Sequence, residues 1–228
     1  MQISFQVHTY MPNNLSELSS RLNLLFRRDN GTLRVPRCIT MTDLHRAPDP
    51  RPLLDALPCP GAVIIRHPNR DVRQKLSKLA LKHHHAYKHK ILISDDIELA
   101  TELGADGVHI PEIKLRTRRN VTLLRRRPHW LISASAHSAR SLKHAENSKV
   151  DFILLSPIAP TKSHPGQIGM GFVKFARLAR ECHIPVIGLG GLTLQNILRL
   201  KSSGLAGIAG IEVFMNGVGA LQLGSQAE

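Results

Sequence analysis

The sequence predicts an α/β protein, a single-domain (β/α)8 (TIM) barrel behind an N-terminal extension, and three observations carry that expectation. Short apolar runs recur from residue 38 onward, helical periodicity fills the stretches between them, and polar residues gather where the runs end. Runs without polar alternation suit strands buried on both faces of a parallel sheet. Eight strand–helix units in roughly 190 residues match the count of a compact barrel. A doubly wound open sheet is the alternative, though it rarely uses so many regular units.

The expected strands are Cys38–Thr42, Ala62–Arg66, Ile91–Ser94, Gly107–Ile110, Trp130–Ala136, Phe152–Ser156, Pro185–Leu189 and Gly207–Ile211. Helical spacing shows in Val72, Leu76, Leu79 and Ala80, in Ile97, Ala100 and Leu103, and in Phe172, Phe175, Leu178 and Ala179. Each run is followed by polar residues: Asp43, then Arg66 and His67, then Asp95 and Asp96, then Glu112 and Lys114. His137, Thr161 to His164, Gly190-Gly191 and Glu212 follow the other four. In a barrel the carboxyl ends of the strands meet at one mouth, where the chemistry is done. Any single strand-end polar residue can instead cap the next helix.

The 228 residues carry Lys+Arg 31 against Asp+Glu 17, a formal charge of +14, with 42% hydrophobic and 4% aromatic residues. That apolar fraction supports a real core. No run approaches the ~20 apolar residues of a membrane span. The cysteines Cys38, Cys59 and Cys182 are odd in number and far apart, giving neither a disulfide framework nor a zinc spacing, and a reducing, cytoplasmic compartment is expected.

The positive charge raises nucleic acid as a partner class. Arg116, Arg118, Arg119, Arg125, Arg126 and Arg127 flank Leu115, Val121, Leu123 and Leu124, the pattern of a helix with a solvated basic face. No aromatics are interleaved for base stacking, so nucleic acid is not the expected partner. His83, His84 and His85 are adjacent and would point about 100° apart on a helix, so they do not converge on one ion. They read as cations at a helix C-terminus. Residues 1–36 form the extension, an accessory helix around Leu15 to Phe26 being the leading reading ahead of a flexible arm; residues 37–228 form the barrel.

Gly188-Leu189-Gly190-Gly191-Leu192-Thr193 joins the seventh strand to its helix. Glycines let a backbone approach an anion closely, Thr193 can act as N-cap, and a helix start favours phosphate. In barrels phosphates commonly sit after strands seven and eight.

The order of motifs resembles the thiamine-phosphate synthase family, barrels that include the thiazole tautomerases, over about residues 37 to 215. The resemblance rests on Ile39-Thr40-Met41-Thr42-Asp43, Ile93-Ser94-Asp95-Asp96, Leu103-Gly104-Ala105-Asp106-Gly107-Val108-His109-Ile110, Ser133-Ala134-Ser135-Ala136-His137-Ser138, Ser156-Pro157-Ile158-Ala159-Pro160-Thr161 and the Gly190-Gly191 turn. It implies a transferase of thiamine biosynthesis. Such an enzyme joins 4-amino-2-methyl-5-(diphosphomethyl)pyrimidine to thiazole phosphate and releases pyrophosphate, with magnesium, lysine and arginine neutralising the diphosphate.

Carried over residue by residue, the resemblance implies a magnesium ligand at Asp95, with Glu112 as a further candidate. The family's second magnesium aspartate has become Lys114, and its strand-two Gln-x-Arg-x-Lys pattern aligns with Arg66, Pro68 and Arg70. Thr161, Lys162, Ser163 and His164 take the place of a Pro-Thr-x-Thr-Lys loop, and Glu212 stands where the family has serine. The implied phosphate- and substrate-binding set is Arg66, Arg70, Thr161, Lys162, Ser163, His164, Gly190, Gly191, Gly210 and Ile211. His137, Lys114 and Arg66 are the catalytic candidates, His137 aligning with the tautomerases' proton-transfer histidine. For His137 a rim histidine bonded to backbone stays open, and His109 reads as a satisfied core histidine. A tautomerase-like isomerase and a non-catalytic, phosphate-ligand-binding regulatory barrel are the alternatives. The expected partners are small phosphorylated pyrimidine and thiazole substrates, with no membrane, and a homo-oligomer left open.

Overall fold

A computed structural model describes residues 35–57, 60–83, 88–115, 127–161, 166, 168–193, 196–200 and 203–215. The N-terminal helix expectation (residues 1–34), His84, His85, Cys59, Lys162, Ser163, His164 and the arginines at 116, 118, 119, 125 and 126 lie outside them.

The strands are β1 (Cys38–Met41), β2 (Ala62–Ile65), β3 (Lys90–Ser94), β4 (Gly107–Ile110), β5 (Leu131–Ala136), β6 (Phe152–Leu155), β7 (Val186–Leu189) and β8 (Gly207–Ala209). They pair in sequence order, all parallel, and β8 returns to β1, so the barrel is closed. The open-sheet alternative is thereby overturned. All eight expected runs are strands, most trimmed by a residue or two at an end. Thr42 and Arg66 fall just past their strands, joined to each other by backbone and hydroxyl hydrogen bonds at 2.8 Å.

The described helices are α1 (Pro50–Ala56), α2 (Arg70–His83), α3 (Ile97–Glu102), α4 (Ala139–Asn147) and α5 (Phe172–Glu181), with single 3-10 turns at Glu112–Lys114 and Ile197–Leu200. Their starts are written in the sequence. The Asp49 carboxylate accepts from Arg51 N at 2.9 Å ahead of Pro50, and the Asp96 carboxylate accepts from Leu99 N at 2.9 Å. Ser138 and Ser141 cap α4 reciprocally. In α5, of the expected stripe, Phe175, Leu178 and Ala179 are buried against the barrel and Phe172 is partly buried.

The core lies partly inside the barrel and partly between barrel and helices. Ile64, Ile65, Ile91, Leu92, Ile93, Phe152 and Phe175 are fully buried, each such side chain contributing about 1.5–3 kcal/mol relative to exposure. His83 ends α2 with Nε2 2.8 Å from Asp55 Oδ1, and buried His89 accepts Gly61 N–H at Nδ1 at 3.0 Å. Neither joins a metal cluster among the described residues. Among those residues no helix is long and apolar enough to cross a membrane.

Candidate functional site

Parallel strands put every carboxyl end at one rim, and there a cavity of about 640 Å³ opens into the barrel. Its floor is built from inward side chains of Met41, Ile64, His109, Ser135 and Leu154. His109 sits in β4, with Nδ1 2.9 Å from Ser133 Oγ and Nε2 2.8 Å from Ser135 Oγ. Burial, reinforced by the nearby Arg66 guanidinium, pushes the ring down to about 3. It is a neutral, satisfied histidine, as expected, and it also shapes the cavity floor.

One wall is the turn after β7. Gly190 and Gly191 have φ of +95° and +67°, and a Cβ on Gly191 would lie 2.5 Å from Pro160 O. Glycine is required here by packing against the β6 loop as well as by the backbone angle. Thr193 Oγ1 accepts from Asn196 N at 3.2 Å while Asn196 Oδ1 accepts from Thr193 N at 2.9 Å. Asn196 Nδ2 also donates to Gly191 O at 2.8 Å, so the turn is tied to the element it starts. Thr161, Gly210, Ile211 and Glu212 complete this side.

The facing wall is cationic. Arg66 leaves β2 and donates from Nε to Thr42 O at 2.8 Å and from Nη2 to Asp43 Oδ2 at 2.7 Å. The same carboxylate oxygen takes Arg46 Nη2 at 2.9 Å. A backbone bridge between Asp43 and Ala47 folds the chain back so that Arg46 reaches the cavity. The Arg46 guanidinium holds the Asp43 carboxyl well below the usual carboxylate range. One step around the rim, Asp96 bridges Arg70 Nε at 3.1 Å and Arg73 Nη2 at 2.9 Å. Burial raises the Asp96 carboxyl, but the hydrogen bonds from Leu99 N and Arg73 and the charge of Arg70 outweigh it and leave it lowered.

Beyond β4, Glu112 Oε2 lies 2.7 Å from His137 Nδ1 and accepts the His137 main-chain N–H at 2.8 Å. Burial raises the Glu112 carboxyl, yet the bonds from His137 and Ser141 bring it below its ordinary value. The Nδ1 side of the ring is thus occupied by a carboxylate rather than by a backbone carbonyl, which corrects the backbone-bonded reading. Lys114 Nζ stands 3.8 Å from Asp95 Oδ2.

The magnesium site implied by the resemblance does not fit these residues. Asp95 is matched to a cation, Glu112 is committed to His137, and no group of three His, Cys, Asp or Glu side chains converges among the described residues.

Arg66, His137, Thr161, Gly190, Gly191, Gly210 and Ile211 therefore meet at one cavity. Asp95 lines a smaller cleft beside it, and Lys114 stands at that cleft's edge. Arg70 is a correction: its guanidinium turns to Asp96 and lines neither space. Sequence reasoning missed Arg46, whose place depends on the Asp43–Ala47 bridge, and Arg73, hidden among helical charges. His109 with Ser135 was readable only as core, although their two-residue-period strand positions could have placed both inside the barrel.

A closed barrel of eight parallel strands, with its cavity at their carboxyl ends, places the chain among the (β/α)8 barrels. The sequence family described as thiamine monophosphate synthase matches residues 42–214, and the chain belongs to that family. A protein of Aquifex aeolicus (strain VF5), provisionally named thiamine-phosphate synthase 2, is 38% identical over 57% of this chain and 68% of its own length. A thiamine-phosphate synthase of Lactococcus lactis subsp. cremoris (strain MG1363) is 33% identical over 54% of this chain, a stretch spanning little more than half, 56%, of that relative. The thiamine phosphate pyrophosphorylase structure from Pyrococcus furiosus superposes with a TM-score of 0.66 at 19% identity, covering 82% of this chain and 94% of that one, a likeness of fold.

Proposed function

We propose that the chain is a thiamine-phosphate synthase-type transferase, which joins the diphosphomethyl pyrimidine to thiazole phosphate and releases pyrophosphate. The observation that carries this reading is one cavity with two anion-facing features, the Gly190-Gly191 turn after β7 and Arg66 after β2, three strands apart around the barrel. Two phosphorylated ligands can then lie side by side over the His109 floor.

The reaction needs little acid or base. The bond from the pyrimidine methylene carbon to the diphosphate oxygen breaks, and the leaving oxygen keeps the electron pair. The thiazole nitrogen lone pair then closes the new carbon–nitrogen bond. The rate depends on charge neutralisation at the leaving group and on alignment. Arg66 and Arg46 supply positive charge, while the glycine turn and Thr193 orient the thiazole phosphate. Glu212 also lines the cavity wall. Incubating the purified chain with both substrates and following thiamine phosphate by mass spectrometry tests the proposal; its absence at every ligand concentration sinks it.

A second reading is favoured by the Glu112–His137 pair. A carboxylate on Nδ1 fixes the ring and its tautomer, the arrangement a proton-transfer histidine needs. A thiazole isomerase would use it, and tautomer exchange followed by deuterium incorporation into the thiazole ligand tests that.

A further inference from the structure

On the β2–β4 side of the mouth, a cleft of about 380 Å³ opens beside the main cavity. Arg66, Ser94 and Pro111 border both spaces. Among the described residues around it, Arg46, Arg66, Arg70, Arg73 and Lys114 stand against the carboxylates of Asp43, Asp95 and Asp96. Asp43 and Asp96 each bridge two arginines, and Asp95 faces Lys114. This side therefore keeps a net positive charge after its own pairing, in a place where a phosphate chain can reach in from the cavity.

We propose that the cleft and its border with the cavity form a polyphosphate subsite that works without a divalent metal. Arg46 and Arg66 act as a guanidinium pair, and Lys114, 3.8 Å from Asp95 Oδ2, adds a further positive charge beside the cleft. The proposal rests on the transferase reading only for taking the leaving diphosphate as its natural ligand. Guanidinium groups offer planar paired donors that match phosphate oxygens. One carboxylate, Asp43, already holds both arginines, so less side-chain freedom is lost when an anion arrives. Lys114, 59% exposed, is a mobile point charge that can exchange Asp95 for a phosphate oxygen.

The sign of one substitution separates this site from a metal site. Asp95 has φ +56°, a conformation asparagine accepts readily, so Asp95→Asn keeps the loop. It removes the negative partner of Lys114 and the repulsion an incoming phosphate meets. Were Asp95 a magnesium ligand, the same change would weaken binding.

Calorimetry of inorganic pyrophosphate on the full chain, in EDTA and then in excess magnesium, is the test. Binding is expected in EDTA, no tighter in magnesium (which itself chelates pyrophosphate), weakened about tenfold by Arg46→Gln and tightened by Asp95→Asn. Binding that appears only with magnesium, that Asp95→Asn abolishes in a folded protein, or that Arg46→Gln leaves untouched overturns the proposal, as does no binding in either buffer. The transferase assay on the same preparation keeps the two readings apart. Turnover without binding in EDTA removes the subsite alone, and binding in EDTA without turnover removes the transferase alone.

Discussion

Glu112 holds His137 at two points, accepting the ring Nδ1 at 2.7 Å and the main-chain N–H at 2.8 Å. The pair distinguishes the two proposed reactions. In the transfer reaction His137 moves no proton, so His137→Ala is expected to keep at least about a third of kcat. In an isomerase the same change costs on the order of 100-fold or more. Glu112→Gln, which keeps one acceptor oxygen but loses the charge, is expected to follow His137→Ala in direction with a smaller loss. Steady-state kinetics on both candidate reactions decides between them.

Gly191 and Gly104 share a left-handed backbone, φ +67° and +65°, but differ in surroundings. A methyl on Gly191 would meet Pro160 O at 2.5 Å and Ala159 O at 2.7 Å, whereas among the described residues nothing beyond the local chain lies within 4 Å of one on Gly104. Gly104→Ala is expected to cost about 1 kcal/mol, the left-handed penalty alone. Gly191→Ala is expected to cost more, about 2–4 kcal/mol, and to raise the KM for the thiazole ligand because the wall must move. Urea denaturation of the two variants measures the gap, and equal costs would refute the packing argument.

Asp96 and Arg73 are 8% and 12% exposed, and Arg73 Nη1 also donates to His67 O. Removing the carboxylate strands a mostly buried guanidinium and deletes the N-cap of α3. Asp96→Ala is therefore expected to destabilise by about 3–5 kcal/mol. Asp43→Ala, at a more exposed pair of arginines, is expected to cost less than half as much. Chemical denaturation midpoints with unchanged slope would confirm both values.

The strands were legible because both faces of each are buried, which leaves an apolar run that no other element of that length shows. Thr193 was legible as a cap because its hydroxyl acts locally, accepting from Asn196 N, whereas the caps at Asp49, Asp96 and Ser138 were identified only in the structure. The site was legible where one residue sits at a strand end, as with Arg66, His137 and Gly190. It was not legible where position depends on a partner distant in sequence. Arg70 turns away because Asp96, after the next strand, captures it, and Arg46 reaches the cavity through a bridge between Asp43 and Ala47. The replacement of the second magnesium aspartate by Lys114 was legible, but the pairing of Lys114 with Asp95 across the rim was not.

His109 couples the cavity floor to stability. Its folded-state value is about 3 against 6.5 for the free side chain, chiefly through burial. Above the upper value both states are neutral there and the ring adds no pH dependence. As pH falls below 6.5 the unfolded chain takes a proton that the folded chain refuses, so stability drops. The loss approaches about 1.4 kcal/mol per pH unit and continues until the folded ring itself protonates near 3. His109→Gln can still bond Ser133 and Ser135 but does not titrate. Urea midpoints from pH 7 to pH 5 are expected to fall more steeply for the native chain than for His109→Gln. Parallel slopes would mean that water reaches the ring from the cavity and holds it near its ordinary value.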